Sequence, residues 1–205
     1  MAAAARRVAV APMAFPDRGT MKGPMGSLQG HLLVASPALG DANFARTVIA
    51  IANHDDDGAL GIVLNRPSDT EVVDAVPELE GVVDGDDVVY VGGPVQPASI
   101  VVLAEFEDPA EAAYLVCGAV GLVSDRTGLE RLDDATARRR IYAGYAGWGP
   151  GQLEGEIERE DWIVVPALPE DVFAEEPLDL WGRVLERKGG QFKLLARMPL
   201  DPSLN

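Results

Sequence analysis

The chain has 205 residues, 47% hydrophobic and 24% charged, the composition of an ordinary globular protein with room for one full core. Its formal net charge of −16 argues against direct nucleic-acid binding, which needs Lys and Arg to neutralise phosphates, and no run approaches the ~20 apolar residues of a membrane span. Its 22 glycines and 15 prolines favour many short elements joined by tight turns over long helices.

Residues 1–25 read as a flexible N-terminal leader, and residues 26–205 as a single domain without repeat or linker. The longest apolar stretch of the leader, Val8 to Ala11, is cut by Pro12 and is too short for a secretory signal. Met21 and Met25 offer internal start codons close to where the patterned sequence begins. The leader carries Arg6, Arg7, Arg18 and Lys22 against Asp17 alone, so the rest of the chain is more acidic than the average suggests.

His31 to Ala35 predicts a strand that stops at Ser36-Pro37. The run from Thr47 to Ile51, β-branched at four of five positions, and Ala59 to Leu64 predict a hairpin. Its polar tip is read over Asn53 to Gly58, with His54 in the turn. Asp69 and Thr70 are read as caps of a helix over Glu71 to Leu79. Strands are then expected at Val88 to Val91, Ser99 to Ala104, and once or twice within Tyr114 to Val123, with an acidic turn over 106–113. Leu129 to Ala137 reads as a short helix and Arg140 to Ala146 as a strand. Gly147 to Gly151 reads as a strand-to-helix junction that places Pro150 in the first turn of a helix over Gln152 to Arg159. Asp161 to Pro166 is a strand, helices follow from Pro169 and over Leu178 to Lys188, and Gln191 to Asn205 is a tail.

Three stretches carry a family resemblance. The first runs from Gly30 to Pro67 and includes Pro37, Asp41, Phe44, Arg46, His54, Gly58 and Asn65. The second is Gly92-Gly93-Pro94-Val95, and the third is Gly144 to Glu154 with Trp148 and Gln152. In this order they resemble the AlgH/YqgE family of bacterial proteins, uncharacterised in their chemistry, some of which carry a transcriptional-regulator label. The resemblance covers residues 26 to 200 and implies an α+β fold: a mixed, mostly antiparallel sheet, strongly curled or closed into a barrel, with flanking short helices. It also gives His54 a fixed hydrogen-bonding role.

The candidate chemistry is sparse. His54 beside Asp55, Asp56 and Asp57 offers imidazole and carboxylates, but consecutive acids diverge where a cation site needs alternating ones, so a solvated tip is the stronger reading. Ser36, Asp41 and His54 are the parts of a hydrolase triad without the Gly-x-Ser-x-Gly elbow that would support it. His31 reads as structural, and Cys117, in an apolar run, as a small hydrophobe; a lone cysteine excludes an intrachain disulfide and fits a reducing cytoplasm. Gly147 to Gly151 lacks the Lys-Ser/Thr of a phosphate loop. Arg138-Arg139-Arg140 reads as a solvated strand entry protecting a sheet edge. Arg46 and Arg66 pair either with an internal carboxylate, Asp41 or Glu154, or with an anionic ligand.

These readings give a binding or regulatory protein without catalysis, holding a protein or small ligand near Ser36, Asp41, Arg46, His54, Asn65, Arg66, Trp148, Gln152 and Glu154. No cofactor, metal or membrane is expected. A hydrolase-like enzyme using His54 is the alternative, and a DNA-binding regulator the weaker one.

Overall fold

The computed structural model describes residues 26–41, 43–123 and 136–198. The strands are β1 (His31–Ala35), β2 (Val48–Asp55), β3 (Gly58–Val63), β4 (Pro67–Glu71), β5 (Val88–Val91), β6 (Val95–Phe106), β7 (Tyr114–Cys117), β8 (Val120–Leu122), β9 (Thr136–Trp148) and β10 (Trp162–Pro166). The helices are α1 (Val72–Ala75), α2 (Gln152–Glu158), α3 (Pro169–Val172), α4 (Leu180–Lys188) and α5 (Phe192–Leu195), with 3-10 turns at Pro77–Leu79, Pro109–Glu111 and Pro177–Asp179. The strands form one ten-stranded sheet in the order β10-β1-β2-β3-β9-β6-β8-β7, with β4 and β5 branching from β9. Every named strand pair is antiparallel except β5 with β9.

The sheet is open and curled. Its path ends at β10 and β7, and the curl brings β7 back toward the start of β1, where Gln29 Nε2 donates to the Leu115 carbonyl at 2.8 Å. Alternation along the strands divides the core. Leu32 and Val34 of β1 with Val48, Ala50 and Ala52 of β2 face the inside of the curl, against Val116, Leu122, Tyr142 and Trp181. Leu33, Ala35, Ile49 and Ile51 face outward and are covered by Leu153 of α2, Trp148 and Trp162. A third cluster joins Val72, Val76 and Leu79 to Ile100, Val102 and Ile141. The last turn of helix α4 reaches β10: Lys188 Nζ donates to the Val164 carbonyl at 2.7 Å and Arg187 to that of Pro166 at 3.2 Å.

One crossing depends on glycine. Gly92 bridges two strands, accepting from Val63 N–H at 2.9 Å and donating to the Ala143 carbonyl at 2.8 Å. A Cβ on Gly93 (φ +153°) would lie 2.1 Å from the Tyr145 carbonyl carbon, and one on Gly144 (φ +71°) 2.5 Å from the Gly93 oxygen.

The structure corrects several expectations. His54 lies within β2, and the hairpin turns over Asp56 and Asp57 alone, because Asp55 still pairs with Gly58. Asp69 and Thr70 belong to β4, and Pro77 limits the expected helix to one turn plus a 3-10 turn. Strands β6 and β9 outrun their expected bounds, and Pro150 precedes α2, whose cap is left-handed Gly151. Residues 192–195 of the expected tail are helical. The helix expected over Leu129 to Ala137 lies outside the described residues, except for Thr136 and Ala137, which open β9. Strand β9 is interior, so its arginines protect no edge. Arg138 pairs with Glu105 at 2.8 Å, and Arg140 lies 4.5 Å over the Tyr90 ring and donates to the Val172 and Ala174 carbonyls.

Candidate functional site

Apart from Ser36, the predicted site residues separate into two clamps and one cleft. The first clamp is centred on His54, 7% exposed. Its Nδ1 accepts the Leu28 N–H at 3.0 Å, which puts the ring proton on Nε2, donating to Glu154 Oε1 at 3.0 Å. The Ser27 hydroxyl donates to the His54 carbonyl at 3.0 Å. The imidazole thus joins the residues entering β1, the hairpin and α2, and both its nitrogens are engaged.

The second clamp fixes the bend before β2. Arg46 has a left-handed φ of 55°. Asn65, 3% exposed, accepts the Val48 N–H and donates to the Arg46 carbonyl, both at 2.9 Å, doing for the bend what a neighbouring strand would do. Arg66 donates to the Ala45 carbonyl at 2.5 Å. The Arg46 guanidinium stacks 4.6 Å from the Trp181 ring centroid and donates to the Met198 carbonyl. Neither expected carboxylate holds it: Glu154 takes His54, and Asp41 accepts the Asn43 N–H at 2.9 Å.

Ser36 and His54 do not meet. Ser36 follows Ala35, which bonds Thr47 at one end of β2, while His54 stands near the other end. Six residues of strand, about 3.3 Å each, put them on the order of 20 Å apart. The Ser36 hydroxyl accepts the Ala38 N–H at 3.4 Å within its own turn. At the hairpin tip, Asp55 takes Asn53 Nδ2 and the Asp57 N–H, both at 2.9 Å. Among the described residues, no three His, Cys, Asp or Glu side chains converge as metal ligands. Burial, with Asp171, Glu170 and Glu105 nearby, pushes the Cys117 thiol up to about 11.

Trp148 and Gln152 belong to a cleft of about 300 Å³. Its walls are Leu39, Asp41 and Phe44 from the loop after β1, Pro94, Gly147 and Trp148 at the end of β9, Gln152 and Glu156 of α2, Arg159, Asp161 and Trp162. The floor is built around one carboxylate. Glu156 Oε2 accepts both indole N–H groups, Trp148 at 2.8 Å and Trp162 at 2.7 Å, and Oε1 accepts Gln152 Nε2 at 2.9 Å. The Gln152 side-chain oxygen accepts the Gly149 N–H at 3.1 Å, closing the turn into α2. Trp162 packs edge-on against Trp148 (6.2 Å) and Phe44 (5.8 Å). Sequence reasoning missed Glu156 and Trp162. The spacing of Glu156 four residues after Gln152 was a usable signal, whereas a strand tryptophan brought to the same carboxylate is a tertiary fact. A second cleft, of about 380 Å³, lies between Tyr145, Val95, Leu60 and the hairpin tip.

All three motif stretches therefore reach one cleft, through Asp41 and Phe44, Pro94, and Gly147 to Gln152. The AlgH-like family model matches residues 32–193. The chain belongs to the AlgH-like family. It is 44% identical over 187 residues to a UPF0301 protein of Streptomyces coelicolor, covering 88% of this chain and 97% of that one. It is 41% identical over 201 residues to a UPF0301 protein of Mycobacterium tuberculosis, covering 96% and 100%. Among solved structures, a crystal structure of a Corynebacterium diphtheriae protein is similar at TM-score 0.75 and 33% identity, over 82% of this chain and 91% of that chain. The solution structure of AlgH from Pseudomonas aeruginosa is similar at TM-score 0.67 and 28% identity, over 89% and 100%.

Proposed function

We propose that this AlgH-like chain is a non-enzymatic binding or regulatory protein whose working surface is the cleft floored by Trp148, Trp162 and Glu156. The observation that carries this reading is convergence: segments near residues 41, 94 and 150, remote in sequence, supply the walls of one concave, partly aromatic space. The polar side chains of the two clamps are committed to internal hydrogen bonds, which leaves the cleft as the better place for a ligand or partner. A single cysteine, which allows no intrachain disulfide, fits a cytoplasmic setting in the same reading.

The test is native mass spectrometry of the chain purified gently from a related bacterium, beside its Phe44→Ala variant. A reproducible added mass or partner complex in the parent, diminished in the variant, is the expected result. Identical bare masses for both would remove the cleft as the working surface.

A further inference from the structure

Building on that reading of the cleft, we propose that it recognises a guanidinium on a short apolar stem, presented as an arginine side chain of a partner protein. The cleft holds three carboxylates, Asp41, Glu156 and Asp161, against one cation, Arg159. Arg159 is committed to Asp161, with its guanidinium 2.9 Å from the carboxylate. Glu156 is held only by neutral donors, two indoles and an amide, which fix its orientation and leave its charge uncompensated. Asp41, at the exposed mouth, is held by a backbone N–H. Among the described residues, neither Asp41 nor Glu156 has a cationic partner within ion-pair distance.

A half-buried carboxylate of this kind attracts a cation more strongly than one in bulk water, because the surrounding dielectric is lower. The aromatic wall favours a planar cation whose faces stack. The chain uses that chemistry internally: Arg46 lies 4.6 Å over Trp181, Arg138 4.6 Å over Phe173 and Arg140 4.5 Å over Tyr90. Leu39, Phe44 and Pro94 offer apolar contact for the stem. At about 300 Å³ the cleft sits at the small end of ligand pockets, a size for one side chain more than for a nucleotide. An anion would meet the uncompensated acids.

The test follows the indole N–H signals of Trp148 and Trp162 by two-dimensional proton–nitrogen NMR. The full chain is titrated with acetyl-Ala-Arg-Ala-amide and with the same peptide carrying citrulline or glutamate in place of arginine. The arginine peptide is expected to shift both indole signals saturably and to bind at least tenfold more tightly than the citrulline peptide. Asp41→Asn, on an exposed loop, is expected to weaken that binding at least threefold with the indole signals of the free protein retained. Glu156→Gln keeps an acceptor for the indoles and is expected to weaken binding further. Asp69→Asn, an exposed acid on β4, is expected to leave it unchanged. Equal binding of the citrulline peptide, or a response to the glutamate peptide alone, overturns the guanidinium assignment and leaves the cleft standing as a binding surface. No response to any of the three also overturns it, while the cleft itself still answers to the mass measurement above.

Discussion

At the scale of single residues, His54 is a fastener between segments far apart in sequence. Removing it leaves the Leu28 N–H and the Glu154 carboxylate without their partner. An unsatisfied buried donor costs about 1–3 kcal/mol, so His54→Ala is expected to lower unfolding free energy by about 2 kcal/mol in urea titration. Glu154→Ala should cost less alone, and almost nothing further in the His54→Ala background, as expected for two members of one interaction. Cys117 tests the opposite case, a group with no assigned task. With its thiol raised from an ordinary 9.0 to about 11, the thiolate fraction at pH 8 falls roughly a hundredfold. Alkylation by iodoacetamide at that pH is expected to be slower than that of a free thiol by on the order of that factor, and to accelerate as pH rises toward 11. A rate near that of the free thiol would contradict the buried environment.

At the scale of elements, the glycine crossing between Gly93 and Gly144 is the least forgiving place in the sheet. A methyl group at Gly93 would meet backbone atoms at 2.1 to 2.4 Å, and backbone cannot step aside as a flexible side chain can. Gly93→Ala is expected to cost about 3 kcal/mol or more, measured as a lowered urea midpoint with an unchanged slope. What the sequence made legible at this scale was local. The hairpin was readable because β-branched runs flank a turn, and β10 because its apolar run is short and stops at Pro166. Strand β9 was under-read because Arg138 to Arg140 look like surface, although two of them stack on Phe173 and Tyr90. His54 was read into the turn because a polar residue beside three acids resembles a loop. Its place in the strand depends on partners at residues 28 and 154 that no local window contains. The cleft was half legible: its motif residues were singled out, but the shared carboxylate at Glu156 forms only when α2 and β10 meet.

At the scale of the whole molecule, charge bears directly on the weaker expectation of a DNA-binding regulator. The arginines of the dense basic run in β9 are engaged within the fold, Arg138 by Glu105 and Arg140 by two carbonyls, and the chain as a whole carries −16. A mobility-shift assay with duplex DNA at low salt, where electrostatic binding is strongest, is expected to show no complex. A complex that weakens steeply with salt would reverse that conclusion.

The reach of the last turn of α4 to β10 has a consequence beyond the single chain. An open sheet, unlike a barrel, ends in strands whose outer polar groups can template the addition of another molecule's strand. Lys188 and Arg187 occupy two of the β10 carbonyls, Val164 and Pro166, and set positive charge beside that rim. Lys188→Ala would uncover a carbonyl and remove a charge at the same stroke. The expected outcome is concentration-dependent self-association, visible as earlier elution in size exclusion, from a chain that still folds. That outcome would make the last turn of one helix the guard of this sheet edge against polymerisation.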